Sequence, residues 1–100
     1  MDSTIVVLIS ANAEWDCTRS YYRHPTIQQS PVGGYFTREL ANRSITFLNS
    51  GWGKVASAAA TQYAIDHWAP ELIINPGTCG GFAGAVQVGE IILPNETLIY

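Results

Sequence analysis

The stretch TIVVLIS, Thr4 to Ser10, is an unbroken run of β-branched residues and leucine. Without polar alternation it reads as a strand covered on both faces, as parallel strands are. ANAEWDCTRSYYRH follows as a loop and a short helix. That helix must end by His24, because Pro25 disfavours the helical conformation in the residue before it. PTIQQSPVGG is polar and punctuated by prolines and glycines, and is expected to be a surface loop. Tyr35–Leu40 and Ser44–Leu48 read as a hairpin, with Ala41-Asn42-Arg43 as the turn and Asn42 suited to positive φ. Gly53 to Trp68 predicts a helix with Val55, Ala58, Ile65 and Trp68 on its apolar stripe. Lys54, Ser57, Gln62 and Asp66 fall mostly away from that stripe, and Pro70 stops the helix. ELIIN predicts a short buried strand, PGTCGGFAG a glycine-rich loop, and QVGEIILPNETLIY one or two closing strands.

Helices thus alternate with apolar strands in the order β, α, hairpin, α, β, β. This predicts an α/β layer with a mixed sheet. Three segments share one grammar, a buried strand followed by a turn of small or polar residues: VVLIS-ANAEW, TFLNS-GWGK and LIIN-PGTCGG. If their strands run parallel, all three turns meet at the carboxyl edge of the sheet, where open α/β sheets bind ligands.

Each turn has two readings on residue type alone. SGWGK is not a phosphate-binding P-loop, because Gly51 and Gly53 are separated only by Trp52 and Val55 follows the lysine. It is either a glycine-relieved corner with a solvated Lys54, or a set of helix N-terminal amides that attract an oxygen. In the second reading Trp52 sits over the mouth. NPGTCGGF is either a structural turn or a loop that lets backbone approach a ligand beside the Thr78 hydroxyl. Cys79 within it reads most simply as a small buried hydrophobe. Glu14, just past the first strand, is either a first-turn glutamate favoured by the helix dipole or a general base.

Composition narrows the classes. With 100 residues the chain suits one domain, and 47% apolar against 13% charged content marks it as globular. A net charge of −3 without a basic run argues against nucleic acid as partner. No apolar run approaches a membrane span, and MDSTIVVLIS carries an acid where a signal peptide needs positive charge. A cytoplasmic location is the expectation. Cys17 and Cys79 are far apart and read as free thiols. No set of residues has metal-ligand spacing, and nothing signals an organic cofactor.

Taken together, SGWGKVASAAATQYAIDHWAPELIINPGTCGGFAGAVQVGEIIL, Ser50 to Leu93, resembles the nucleoside phosphorylase and nucleosidase superfamily. It is most similar there to the nucleosidases that cleave 5′-methylthioadenosine and S-adenosylhomocysteine. Those proteins carry an SGIGKV-like turn, an alanine-rich helix, a P-D/E-x-I-I-N-x-G-[ST]-x-G-G loop and a VGDI strand. The resemblance implies a three-layer phosphorylase-like α/β fold with a central mixed sheet, present only in part. Residues 1–100 would be the amino-terminal part of one such domain, because family members are more than twice this long. It also implies hydrolysis of the N-glycosidic bond of an adenine nucleoside. Glu14 would activate water and Thr78 would lie near the nucleophile. Ser50, Trp52, Gly53, Thr78, Cys79 and Gly80 would bind substrate, with Trp52 against the 5′ substituent or the base. The first turn lacks the arginine and glycine of the phosphorylase branch, which favours hydrolysis. The alternatives are a phosphorylase or a non-catalytic nucleoside-binding or storage-like member of the same fold. By this resemblance the chain alone is expected to be inactive, and a homo-oligomer is expected.

Overall fold

The computed structural model describes residues 4–98. The elements are β1 (Thr4–Ile9), α1 (Asn12–Tyr21), β2 (Gln28–Ser30), β3 (Gly33–Leu40), β4 (Arg43–Asn49), α2 (Gly53–Trp68) and β5 (Leu72–Ile74). The five strands form one sheet in the order β2-β3-β4-β1-β5. β1 lies between β4 and β5 and is parallel to both, with Ile5 opposite Ile45 and Leu72. β2, β3 and β4 pair antiparallel, so the sheet is mixed.

The two faces of the sheet bury different chemistry because successive strand residues point to opposite sides. Val6, Leu8 and Leu48 pack against Ala60 and Ala64 of α2. Val7, Ile9, Phe36 and Phe47 pack against Trp15 of α1. Helix, sheet and helix thus make three layers. The α1 side is held by aromatic rings: Trp15 lies 5.6 Å from Phe36, and Phe36 stacks on Phe47 at 4.9 Å. Tyr22, just past the helix, closes on Phe47 at 5.0 Å.

The hairpin turns at Ala41 and Asn42, both with positive φ (51° and 62°), the pair of left-handed residues that a tight two-residue hairpin needs. α1 ends three residues before His24, and the chain escapes through Arg23 and His24, also at positive φ (62° and 51°).

Four expectations need correction. β5, expected as a buried strand, lies at the sheet edge with Leu72 and Ile74 exposed. The segment PTIQQSPVGG is not all loop: Gln28–Ser30 is an edge strand, with Gln28 opposite Tyr35. Its polar side chains hid it, since an edge strand is held by backbone pairing rather than burial. On α2, Val55 is 85% exposed, Ile65 is 45% exposed and Ala58 is exposed, while Ala60 and Ala64 are fully buried. Only Trp68 of the expected stripe packs on the core. The helix is apolar around much of its circumference, and its small side chains are what allow close approach to β1. Finally, residues 87–98 form no strand, and Val88, Ile91 and Leu93 are almost wholly exposed. The last two residues of that segment lie outside the described residues.

Candidate functional site

β1, β4 and β5 run parallel, so their carboxyl ends and following turns share one edge of the sheet. The Ser50 amide donates to the Ile9 carbonyl at 2.9 Å and continues the ladder one residue beyond β4, which ties two of the turns together. The third turn is tied in by side chains. Glu14 Oε2 accepts one hydrogen bond from the Thr78 amide and another from the Thr78 hydroxyl, each at 2.8 Å. Residues 64 positions apart are thereby joined through a single carboxylate oxygen.

Local structure explains the placement. α1 starts at Asn12, so Glu14 stands in its first turn, where the helix dipole favours negative charge. The neighbouring Trp15 is the buried residue of α1 and turns into the aromatic layer, which leaves Glu14 on the cleft side. Thr18, one turn on, donates its hydroxyl to the Glu14 carbonyl at 2.8 Å. Together Ile9, Glu14, Thr18, Pro76, Gly77 and Thr78 line an open cleft of about 220 Å³. That is smaller than the roughly 300–1,000 Å³ of a complete small-molecule site. Ile9, Thr18, Pro76 and Gly77 were not singled out from the sequence. Gly77 had a usable signal, its place directly before Thr78; a Cβ there would stand 3.7 Å from Glu14 Oε2.

The donated hydrogen bonds hold the Glu14 carboxyl below the usual glutamate range. The Thr78 amide is the largest cause, followed by the Thr78 hydroxyl, with partial burial opposing and the Ala11 amide adding a smaller lowering. The group is therefore anionic at neutral pH. Oε2 is occupied by both Thr78 donors, which leaves Oε1 with the capacity to accept from a water or a ligand.

The remaining candidates stand differently. Ser50 is buried at the carboxyl edge, 5% exposed. Trp52 is the N-cap of α2, 74% exposed, and is not among the residues lining the cleft. Glu14 and Thr78 thus meet directly, while Trp52 stands outside the cleft lining. Gly51 and Gly53 have positive φ (77° and 90°), the turn geometry that only glycine adopts cheaply. α2 has no side-chain cap and no acid in its first turn, so its first amides are free to meet an oxygen. Gly80 is exposed with open space around it. Cys79 is exposed, against the expectation of a buried hydrophobe, and Cys17 is an exposed free thiol as well. Among the described residues no group of His, Cys, Asp or Glu could hold a metal ion. No helix among them is long and apolar enough to cross a membrane.

The chain is similar to known proteins in sequence and in fold. The chain is 44% identical over 62 residues to the 5′-methylthioadenosine/S-adenosylhomocysteine nucleosidase of Pseudoalteromonas translucida, a match covering 62% of this chain and 26% of that protein. It is 41% identical over 64 residues to the same enzyme of Oceanobacillus iheyensis, covering 64% of this chain and 28% of that protein. The chain therefore spans well under half the length of the curated relatives it matches. The solved nucleosidase of Neisseria meningitidis, in complex with methylthio-immucillin-A, superposes with a TM-score of 0.72 at 27% identity. That superposition covers 88% of this chain and 38% of the other. The nucleosidase of Colwellia psychrerythraea, in complex with adenine, gives a TM-score of 0.73 at 22% identity and shares the fold. The profile of the Phosphorylase superfamily matches residues 5–100, and the chain belongs to that superfamily.

Proposed function

We propose that these residues build the nucleophile side of a purine nucleosidase site, which hydrolyses the N-glycosidic bond of an adenine nucleoside such as 5′-methylthioadenosine or S-adenosylhomocysteine. One observation carries the reading: a carboxylate in the first turn of α1 is fixed by two donors from the turn after β5. The names of the relatives point to the same reaction.

The chemistry fits the geometry. Departure of the purine leaves positive charge on the ribose, as in glycoside hydrolysis. An anion beside that charge lowers the barrier, and one whose charge is already secured by donors needs no rearrangement as the reaction proceeds. Glu14 Oε1 would hold the water. The water oxygen bonds to the anomeric carbon, the C–N bond breaks with its electron pair passing to the base, and the water proton passes to Glu14. Such a cationic transition state asks little basicity of the carboxylate, so a lowered pKa is compatible with the role. The same negative charge repels a phosphate dianion, which supports hydrolysis over phosphorolysis.

Thr78 fixes the carboxylate and stands near the nucleophile. Cys79 and Gly80 continue its loop toward ribose and base. Ser50, Trp52 and Gly53 lie at the amide-rich start of α2, where Trp52 packs against the 5′ substituent or the base once substrate is present. The same reading makes residues 1–100 the amino-terminal part of one phosphorylase-like domain, in a cytoplasmic homo-oligomer. The exposed Val55, Ile65, Leu72 and Ile74 favour association.

The test is adenine release from 5′-methylthioadenosine by the intact gene product and its Glu14→Gln variant. The reading expects turnover by the parent and a loss of at least about a hundredfold in kcat for the variant. Full rate in the variant removes Glu14 from the mechanism.

A further inference from the structure

Asn49, the last residue of β4, carries a feature that the Glu14–Thr78 pair does not explain. Its side-chain oxygen Oδ1 is buried and has no hydrogen-bond partner among the described residues. Buried polar side-chain atoms are almost always paired, so an orphan calls for a physical reason. Its position supplies one. Ile45 and Phe47 belong to the α1-side layer and Leu48 to the α2-side layer, so strand alternation puts Asn49 on the α1 face, the face of Glu14. In the parallel ladder Asn49 is opposite Ile9, and Ile9 lines the cleft. The Asn49 backbone is held on its other side by Gly33, where any Cβ would collide with the Asn49 carbonyl. An apolar residue would satisfy this half-buried position without an orphan. The chain instead keeps an amide there, one strand from the cleft.

We propose that Asn49 is a binding residue of this edge, its Oδ1 accepting a hydrogen bond from a hydroxyl group brought by the reaction. The donor is an O–H, either of the sugar or of the attacking water. The inference rests on the nucleosidase reading and adds a residue to it. Oδ1 is closed to solvent in this structure, so the side chain must rotate toward the cleft to take up the new bond, which then relieves the cost of an unpaired buried acceptor.

The experiment uses the intact gene product, with parent, Asn49→Leu and Asn49→Asp. Leucine matches the shape and removes the acceptor; aspartate keeps it. Three quantities are measured: urea unfolding, equilibrium binding of 5′-methylthioadenosine, and adenine release from that nucleoside and its 2′- and 3′-deoxy analogues. Asn49→Leu is expected to unfold at equal or higher urea while kcat/KM falls about tenfold, the loss expected for one hydrogen bond. Asn49→Asp is expected to recover most of that loss. A sugar donor shows as a shrunken preference for ribose over one deoxy analogue; a water donor shows as an equal fall in kcat for all three. Unchanged binding and turnover in Asn49→Leu overturn the proposal, as does a loss of stability that accounts for the loss of activity. A parent that binds the nucleoside without cleaving it sinks the nucleosidase reading and leaves Asn49 to be judged on affinity alone. A parent that neither binds nor cleaves overturns both.

Discussion

Trp15→Ala tests how the site is held. Trp15 is 5% exposed and is the buried residue of α1, seated against Phe36 at a centroid distance of 5.6 Å. Burying an aromatic side chain removes about 150–250 Å² from water. At about 25 cal/mol per Å² that is about 4–6 kcal/mol, an upper figure because unfolded chains already bury some surface. Measured truncations of buried aromatics cost about 3–5 kcal/mol. A domain of this size has about 5–15 kcal/mol in total, so the change removes a large share of it. The effect reaches the cleft, because Trp15 anchors the helix that carries Glu14. Urea denaturation followed by far-ultraviolet circular dichroism reads the change. Trp15→Ala is expected to lose about 3–5 kcal/mol, and Trp15→Phe, which keeps a ring against Phe36, about 1–2 kcal/mol. A loss below about 1 kcal/mol for Trp15→Ala would refute the claim that this side chain docks α1 on the sheet.

Further consequences follow from other contacts. Thr78→Val removes the hydroxyl donor to Glu14 and leaves the amide, so the Glu14 pKa should rise toward the ordinary range; carbon-13 detected titration of the carboxyl reads it. Because the folded pKa of Glu14 is depressed, its contribution to stability is present above the unfolded pKa and is lost as pH falls through the folded one. Stability of the parent should therefore drop more than that of Thr78→Val on acidification below the ordinary carboxylate range, as measured by urea midpoints. Gly33→Ala forces a Cβ onto the Asn49 carbonyl at a φ of +147°, and should cost at least about 1–3 kcal/mol by thermal unfolding. Ala64→Leu inserts volume where α2 meets the sheet with no exposed surface, and should cost about 1–3 kcal/mol in the same measurement.

The features legible in the sequence are those with a strong local cause. The β-branched run Thr4–Ser10 could hardly be anything but a buried strand, and α2 begins and ends where Gly53 and Pro70 indicate. The common edge of three strand ends followed from their shared grammar, and it brought Glu14 and Thr78 together. Other features depend on partners that a local pattern does not reveal. Gln28–Ser30 pairs only through its backbone, so its side chains carry no apolar signal. In α2 apolar residues occur on both sides, so periodicity could not choose between the face of Val55 and that of Ala60. The segment from Gln87 has strand-forming residues, but composition alone does not supply the neighbouring edge a strand needs. Trp52 was read over the mouth from its flanking glycines, and it stands exposed at the N-cap of α2, outside the cleft lining.

The account depends most directly on Glu14 and Thr78 acting as one unit. A double-mutant cycle on adenine release by the intact gene product, with Glu14→Gln, Thr78→Val and both together, measures that dependence. If the Thr78 donors work by fixing the Glu14 carboxylate, Thr78→Val should slow the parent yet add almost nothing to Glu14→Gln. Losses that simply multiply in the double variant would mean the two residues act separately, and would contradict the account.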